Sequence, residues 1–222
     1  NPEGVAAWRD GPAPTSRTAS PLDAPIHLEP LADDELPQEP IERVITRRGS
    51  ARQFSREPIT FHDLSTILHK ATNKFPADFL KPKSISLTEI YLIVNAVDGL
   101  KPGKYVYHGD SGRLECILQG DFRYEAGRMG LGQALAADAS VNMYFLTDLD
   151  SILNRFGNRG YRAAQLEASI TAGRIYIGAY ALRLGATGLT FYDDAVIDFF
   201  SPHAEGKSVM FLLGVGRRAR RR

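Results

Sequence analysis

The sequence predicts an α+β fold in which a mixed or antiparallel central sheet is flanked by helices, one of them long and central. Short continuous apolar runs at residues 90–94 and 141–146 are typical of buried strands. Between residues 99 and 118, two strand-like segments flank the turn cluster HGDSG, which predicts a hairpin. Residues 161–184 repeat apolar side chains every three or four positions, which predicts the long helix. Strands and helices do not alternate strictly, so a doubly wound parallel sheet is disfavoured.

The first predicted helices lie between residues 40 and 71. Residues 40–48 place Ile41, Val44 and Ile45 on one helical face, with Pro40 suited to the first turn. Gly49 is expected to end this helix in the left-handed conformation. Thr60 is a candidate N-cap for a second helix, whose apolar stripe is formed by Leu64, Ile67, Leu68 and Ala71.

The remaining elements follow from breaks in periodicity. Residues 74–88 hold two prolines and little periodicity, which indicates a loop, and residues 123–137 suit helical structure interrupted by two glycines. Cys116 falls in the middle of a hairpin strand, where a small buried side chain is expected. Gly185 is the expected stop signal of the long helix. Two more strands, at residues 187–192 and 208–215, are expected around a short helix at residues 195–200.

Length and composition indicate one domain with an N-terminal extension. The chain has 222 residues, of which 43% are hydrophobic and 24% charged, the balance of a soluble globular protein. Residues 1–38 are rich in Pro, Ala, Asp and Glu and are interpreted as an extended arm or linker, with the domain at residues 39–222. A single cysteine favours a reducing, cytoplasmic location, and no apolar run approaches the roughly 20 residues that span a bilayer.

Charge argues against a nucleic-acid partner. The net charge is +1, but five of the last six residues are arginines, so the body of the chain is mildly acidic. A nucleic-acid binder usually spreads positive charge over a folded face. The basic tail is therefore interpreted as a solvated terminus.

The octet RRGSARQF, residues 47–54, is the candidate binding site of the chain. Three arginines and a serine fall within six positions around one glycine, at the expected end of a helix. The carboxyl end of a helix repels anions, so a polyanion bound here would depend on the guanidinium groups. The alternative remains open at this point, because arginines in a last helical turn are also favoured by the helix dipole alone.

Other motifs carry less. The five histidines are far apart and show no metal-ligand spacing, so no metal site is expected. The Gly-x-Ser-x-Gly nucleophile motif is absent, and the glycines at 127, 130 and 132 do not follow a buried strand with dinucleotide-binding spacing. Gly188 is of more interest, because a glycine in a strand lets a flat ligand approach the backbone, although a bend at the sheet edge would also explain it.

Taken together, these segments resemble the nitroreductase superfamily of flavoproteins, and within it the azoline dehydrogenases of thiazole and oxazole peptide biosynthesis. The octet is similar to the family pattern Arg-Arg-x-Ser-x-Arg-x-Phe. Further points of resemblance are residues 88–94 (TEIYLIV), 99–107 (GLKPGKYVY), 160–162 (GYR), 166–168 (LEA), 188–194 (GLTFYDD) and 213–216 (LGVG). The similarity runs from about residue 41 to residue 216, and the order and spacing of the segments make it specific.

The resemblance implies a nitroreductase-like α+β fold, FMN as cofactor and hydride transfer through flavin N5, with NAD(P)H as an expected reductant. It implies a homodimer with FMN at the interface and a small-molecule or peptide substrate. Carried over position by position, it assigns flavin contacts to ten residues: Arg47, Arg48, Gly49, Ser50, Arg52, Ser84, Ser86, Gly188, Leu189 and Arg217 or a neighbour in the tail. FMN phosphate carries nearly two negative charges, which suits arginine.

Two functions stay open on the sequence. One is an FMN-dependent oxidoreductase, azoline dehydrogenase-like if that branch's chemistry is kept; the other is a non-catalytic flavin-fold scaffold in a larger protein or assembly. The azoline dehydrogenases commonly carry a Lys-Tyr pair where this chain has Arg155 and Phe156, and a Glu-x-Gly-His run where it has residues 167–170 (EASI).

Overall fold

A seven-stranded antiparallel sheet forms the centre of the molecule in the computed structural model, which describes residues 24–73, 75–77, 79–80 and 86–219. Its strand order is β1-β6-β5-β3-β7-β9-β8. A short parallel pair, β2 with β4, lies beside it. The strands are β1 (Ile26–His27), β2 (Ile59–Thr60), β3 (Glu89–Val94), β4 (Val97–Asp98), β5 (Gly103–His108), β6 (Arg113–Gln119), β7 (Val141–Thr147), β8 (Gly185–Leu189) and β9 (Ser208–Gly216).

Helices cover both faces of this sheet, so the predicted α+β class is confirmed. They are α1 (Ile41–Arg47), α2 (Phe61–Ala71), α3 (Arg123–Met129), α4 (Ala134–Asp138), α5 (Leu149–Phe156), α6 (Arg159–Ala181) and α7 (Asp193–Phe200). Side chains of a strand alternate between faces. Accordingly Ile90 and Leu92 join the core beneath α2 and α6, whereas Tyr91 and Ile93 join the core beneath α7. None of the described helices is long and apolar enough to cross a membrane.

Local sequence signals are confirmed where neighbouring residues make the contacts. Thr60 caps α2: its Oγ1 accepts from Asp63 N at 3.0 Å, and the Asp63 carboxylate accepts from Thr60 N at 3.3 Å. The predicted hairpin is β5 paired with β6, with Cys116 buried in it. The long helix is α6, with 23 residues.

Three predictions at helix ends are wrong. Pro40 is the N-cap of α1 rather than a residue of its first turn, and Gly49 is not left-handed, because the chain leaves the helix in an extended conformation at Arg48. At the end of α6 the left-handed residue is Arg183, with φ 63°, while Gly185 already starts β8. A glycine near a helix end was therefore a misleading stop signal in both places.

The segment before α1 packs on the domain. Strand β1 pairs with β6, and Leu31 N donates to Thr66 Oγ1 on α2 at 2.8 Å. Residues 1–23 of the predicted arm lie outside the described residues, so the domain boundary at residue 38 stays a prediction.

Candidate functional site

The loop after α1, residues 48–54 and here called the arginine loop, is fixed between two distant parts of the chain. Ala51 N donates to the Ala186 carbonyl of β8 at 3.0 Å. On its other side the chain pairs with the segment after β9, where Ser55 N donates to Arg217 O at 2.9 Å and Ala219 N to Gln53 O at 3.2 Å. Arg217 and Arg218 are thereby brought beside the octet, although they are far from it in sequence.

Tyr176 of α6 contacts the arginine loop, and the sequence analysis did not single out this residue. Its hydroxyl oxygen lies 2.7 Å from the Gly49 carbonyl oxygen and 3.0 Å from Ser50 Oγ, so its one hydrogen is shared between these two acceptors. The guanidinium carbon of Arg48 lies 5.4 Å from the centre of its ring, within cation–π range. Burial raises the pKa of the Tyr176 phenol, so the hydroxyl stays protonated and remains a donor at neutral pH.

A second tyrosine continues this arrangement toward the C-terminal tail. The rings of Tyr176 and Tyr180, one helical turn apart, are stacked with 5.7 Å between centroids and 5° between planes. The Arg218 guanidinium lies 5.5 Å from the centre of the Tyr180 ring. Arg217 instead donates from Nε to the Pro58 carbonyl at 2.8 Å. Of the two tail arginines that the structure describes, Arg218 is therefore the one that lies near the tyrosines.

The arginines of the octet divide into two groups. Arg47 still belongs to α1, and its guanidinium pairs with Glu39, which also lies 3.3 Å from Arg183. Arg48 and Arg52 follow the helix end, and the Arg48 guanidinium lies over the Tyr176 ring. The positive charges of both arginines oppose the rise that burial causes in the Tyr176 pKa. Arg52 is exposed. The geometry favours Arg48, Ser50 and Arg52 over Arg47 as ligands of an anion.

Gly49 has no structural reason within the described residues to be glycine. It is not left-handed, and a Cβ placed on it would meet nothing within 4 Å. An alanine would therefore fit the described chain at no steric cost. The open space above Gly49, between Arg48 and Ser50, is where a ligand can approach the backbone closely.

Strand β8 is a second place where a ligand could approach the backbone. Gly188 is exposed while the other residues of β8 are buried, and Leu189 beside it is 9% exposed. A Cβ on Gly188 would come within 3.0 Å of the Phe211 ring. The glycine therefore has a packing reason as well as the predicted functional one.

The two candidate serines before β3 do not join the arginine loop in the described part of the structure. Ser84 lies outside the described residues. Ser86 Oγ donates to the Thr88 carbonyl at 2.8 Å and to Glu167 Oε1 at 3.0 Å. Glu167 lies on α6 nine positions before Tyr176, about 13 Å along the helix axis.

The buried carboxylate of Glu167 accepts hydrogen bonds from residues 86–88. Besides Ser86, its Oε2 accepts from Leu87 N at 2.7 Å and from Thr88 Oγ1 at 3.0 Å. Burial raises its pKa, and these hydrogen bonds only partly oppose that rise. The carboxylate fixes the chain where it leads into β3.

An apolar groove of about 840 Å³ runs between α1, α2 and α6. Ile41 and Ile45, expected to pack with Val44, are instead 57% and 49% exposed along it. Arg48 and Tyr176 belong to its wall, so the groove is continuous with the arginine loop. A Cβ on Gly173, in the middle of α6, would meet nothing within 4 Å.

Metal and nucleophile chemistry find no candidate in the part of the chain that the structure describes. Within residues 24–73, 75–77, 79–80 and 86–219, no group of three His, Cys, Asp or Glu side chains could hold a metal ion. Cys116 is buried in β6, away from solvent.

With the arginine loop, β8 and α6 described, comparison with known proteins defines the class. The Nitroreductase family model matches residues 45–217, which is most of the chain. The chain belongs to the nitroreductase family, as its sequence segments had indicated. Members of this family are generally FMN-dependent oxidoreductases.

Among particular relatives, a nitroreductase-family protein of Methanocaldococcus jannaschii is 28% identical over 161 residues, 70% of this chain and 81% of the relative. A solved nitroreductase-family structure from Anabaena variabilis is 27% identical with a TM-score of 0.71, and the match covers 81% of this chain. The chain spans only 38% of that protein's length.

Two further solved structures share the fold at lower identity. One chain of the Escherichia coli microcin synthetase complex, which was solved with a truncated precursor peptide bound, matches 99% of this chain over 95% of its own length, at 15% identity and a TM-score of 0.66. An FMN-dependent nitroreductase of Clostridium difficile matches 81% of this chain and 88% of its own at 13% identity and a TM-score of 0.54. These likenesses establish the nitroreductase-like fold.

Proposed function

We propose that the protein is an FMN-dependent oxidoreductase whose flavin lies against the arginine loop and β8. The observation that carries this is that Arg48 and Ser50 both contact Tyr176, beside an open backbone at Gly49 and with the exposed Arg52 in the same loop. A guanidinium and a hydroxyl at one spot, as Arg48 and Ser50 offer them, suit a phosphomonoester. FMN, when bound, supplies hydride transfer at its N5.

The chain's own residues then bind and orient the cofactor. Arg48 and Ser50 would hold the phosphate and ribityl chain, and the exposed Arg52 would reach the pyrimidine edge, where a cation favours negative charge. Arg218 is the tail residue best placed to add a second guanidinium. Gly188, exposed on β8, and Leu189 would present backbone groups to the flavin ring near N5.

A second subunit is proposed to cover the groove between α1, α2 and α6. Exposed isoleucines at its rim and the bare helix surface at Gly173 leave an apolar face that water solvates poorly. The groove includes Arg48 and Tyr176, so a subunit seated there would border the flavin. A homodimer with FMN at its interface follows. Sedimentation or light scattering should give twice the chain mass, and Gly173→Arg should give the monomer.

The first test is the absorbance spectrum of the protein as purified, which should show flavin bands. Arg52→Ala should lose FMN, because it removes a guanidinium with nothing to replace it. Arg56→Ala is the matched control, since Arg56 follows the same loop but pairs with Asp138. A colourless protein that does not take up added FMN, or equal flavin content in the two variants, would refute the assignment.

Turnover separates the oxidoreductase from the second candidate, a non-catalytic scaffold. The observation favouring a scaffold is at the end of α5. There Arg155 lies 4.6 Å over the ring of the buried Phe156, where the azoline dehydrogenases commonly carry Lys and Tyr. Neither a guanidinium nor a phenyl ring exchanges protons readily at neutral pH. Sustained oxidation of NAD(P)H with a dye acceptor would establish the oxidoreductase; bound FMN without turnover would favour the scaffold.

Azoline oxidation is the finer form of the proposal. The chain resembles that branch over most of its length, and the microcin synthetase complex, whose fold it shares, was solved with a precursor peptide bound. A thiazoline-containing peptide should be converted to the thiazole, with a mass loss of two hydrogens, if this chemistry is kept. Turnover of dyes but not of the peptide would restrict the function to small acceptors.

A further inference from the structure

We propose that Tyr176 is a positioning residue that makes the flavin site selective for the phosphate of FMN. This inference rests on the proposed function. It assigns to a residue on the long helix α6 the task of setting the arginine loop before the cofactor arrives. The contacts of its hydroxyl, of its ring and of the neighbouring tyrosine support it separately.

The hydroxyl fixes two consecutive residues of the loop. Tyr176 donates to the Gly49 carbonyl at 2.7 Å, which turns that carbonyl toward the helix and away from the open space above Gly49. An anion would be repelled by a carbonyl oxygen pointing at it. The single Tyr176 hydrogen is shared with Ser50 Oγ, which lies 3.0 Å from the phenol oxygen. Ser50 then keeps its own hydrogen for a phosphate oxygen.

The ring holds the arginine that precedes these residues. Arg48 leaves α1 in an extended conformation, and its guanidinium lies over the Tyr176 ring at 5.4 Å from the centroid. A cation stacked on an aromatic face loses conformational freedom without using its hydrogen-bond donors. Those donors stay available for bidentate binding of phosphate.

Tyr176 is itself held in place by Tyr180. The two rings are stacked with planes 5° apart, and the Arg218 guanidinium lies 5.5 Å from the centre of the Tyr180 ring. One ring of the stacked pair therefore contacts the arginine of the loop, and the other contacts an arginine of the tail. The two tyrosines differ in one respect that a test can use: the Tyr176 hydroxyl contacts the loop, whereas Tyr180 touches the tail arginine through its ring.

Removing the Tyr176 hydroxyl should therefore weaken binding of the phosphate and leave binding of the flavin ring unchanged. Riboflavin is FMN without the phosphate, so the two flavins separate these contributions. We expect Tyr176→Phe to lower the affinity for FMN by roughly fivefold to tenfold, as expected for one lost hydrogen bond near a charge. Affinity for riboflavin should change by less than about twofold. A general loss of folding would lower both affinities alike.

The experiment titrates the full-length protein, freed of flavin, with FMN and with riboflavin and follows flavin fluorescence. Tyr180→Phe is the matched control, because it keeps the stacked ring and removes a hydroxyl one turn away. Its affinities for both flavins should equal those of the wild type. Ser50→Ala and the Tyr176→Phe, Ser50→Ala double variant complete a cycle that needs FMN alone. If Tyr176 acts through Ser50, the double variant loses less than the product of the two single losses.

The outcomes separate this inference from the function on which it rests. Wild-type protein that binds no FMN overturns both. Wild-type protein that binds FMN, with Tyr176→Phe binding it equally well, overturns only the role of Tyr176. Equal losses for FMN and riboflavin, or losses in the cycle that multiply independently, also contradict it.

Discussion

Replacement of Glu167 tests how the chain is fixed where it leads into β3. The carboxylate is 5% exposed and accepts hydrogen bonds from Ser86 Oγ, Leu87 N and Thr88 Oγ1 at 2.7–3.0 Å. Thr147 Oγ1 holds the same segment from the sheet side, donating to the Leu87 carbonyl at 2.6 Å. Glu167→Ala removes every acceptor that Glu167 provides and leaves two buried donors, on Leu87 and Thr88, without a partner.

The magnitude follows from those two donors. An unpaired buried donor costs about 1–3 kcal/mol, and part of this is offset because a carboxylate no longer has to be buried. We expect the free energy of unfolding of Glu167→Ala to fall by about 3 kcal/mol. For a chain of 222 residues this corresponds to a melting temperature lower by roughly 6–12 °C.

Glu167→Gln is the informative partner of this variant. The amide oxygen can accept from Leu87 N and Thr88 Oγ1 as Oε2 does. The amide nitrogen can donate to Ser86 Oγ, which already donates to the Thr88 carbonyl at 2.8 Å. All the donors therefore stay satisfied, and no charge is buried. The free energy of unfolding should stay within about 1 kcal/mol of the wild type at neutral pH.

The stabilities of the wild type and of Glu167→Gln should depend differently on pH. Burial raises the pKa of Glu167 above its ordinary value of 4.5, so the folded protein holds this proton more tightly than the unfolded chain. The resulting stabilisation is fully present below pH 4.5 and is lost as pH rises through the raised pKa. The stability of the wild type relative to Glu167→Gln should therefore fall over this range.

Urea unfolding followed by circular dichroism at several pH values measures all three proteins. The reasoning fails if Glu167→Gln is destabilised as much as Glu167→Ala, because the hydrogen bonds would then not explain the contribution of Glu167. It also fails if the wild type gains stability relative to Glu167→Gln as pH rises from acid to neutral. That result would mean that the hydrogen bonds, rather than burial, dominate the pKa.

Two further predictions concern glycines. In α6, Gly160→Ala should lower the free energy of unfolding by about 2 kcal/mol, because the new Cβ would lie 2.7 Å from Ile152 Cγ2 and 2.8 Å from its carbonyl oxygen. Gly173→Ala in the same helix meets nothing within 4 Å in its own chain and should lower the free energy of unfolding less than Gly160→Ala does; thermal melts that rank the two variants the other way would contradict the packing. Gly49→Ala should leave the free energy of unfolding within about 0.5 kcal/mol of the wild type. It should lower the affinity for FMN at least tenfold, which corresponds to roughly 1.4 kcal/mol of binding free energy. Unchanged affinity in a fluorescence titration would show that the ligand does not approach Gly49.

The elements that could be predicted are those set by residues close in sequence. The Thr60 cap and the β5–β6 hairpin each depend on contacts within a few positions, and periodicity gave the long helix within a few residues of α6. The ends of α1 and α6 were harder to predict from the sequence. A glycine permits the left-handed conformation but does not require it, and the non-glycine residue Arg183 adopts it instead.

The site was predicted as a group of residue types rather than as a geometry. Arg47 and Arg48 are adjacent, yet the helix ends between them, so Arg47 pairs with Glu39 while Arg48 lies over Tyr176. Tyr176 is 127 positions from Gly49, and no local pattern links them. Two tyrosines four positions apart on one helix were the signal available, and the sequence analysis did not single them out.

The pairing of the arginine loop with residues 217–219 has a consequence for biosynthesis. Arg217 bonds to Pro58, 159 positions earlier, and Ala219 closes on Gln53. While the ribosome is still making the chain, the early loop has no such neighbour, and β9 must leave the exit tunnel before the pocket can close. A nascent or truncated chain that stops before this point would carry all three arginines of the octet but would lack the segment that pairs with the loop of the proposed flavin site.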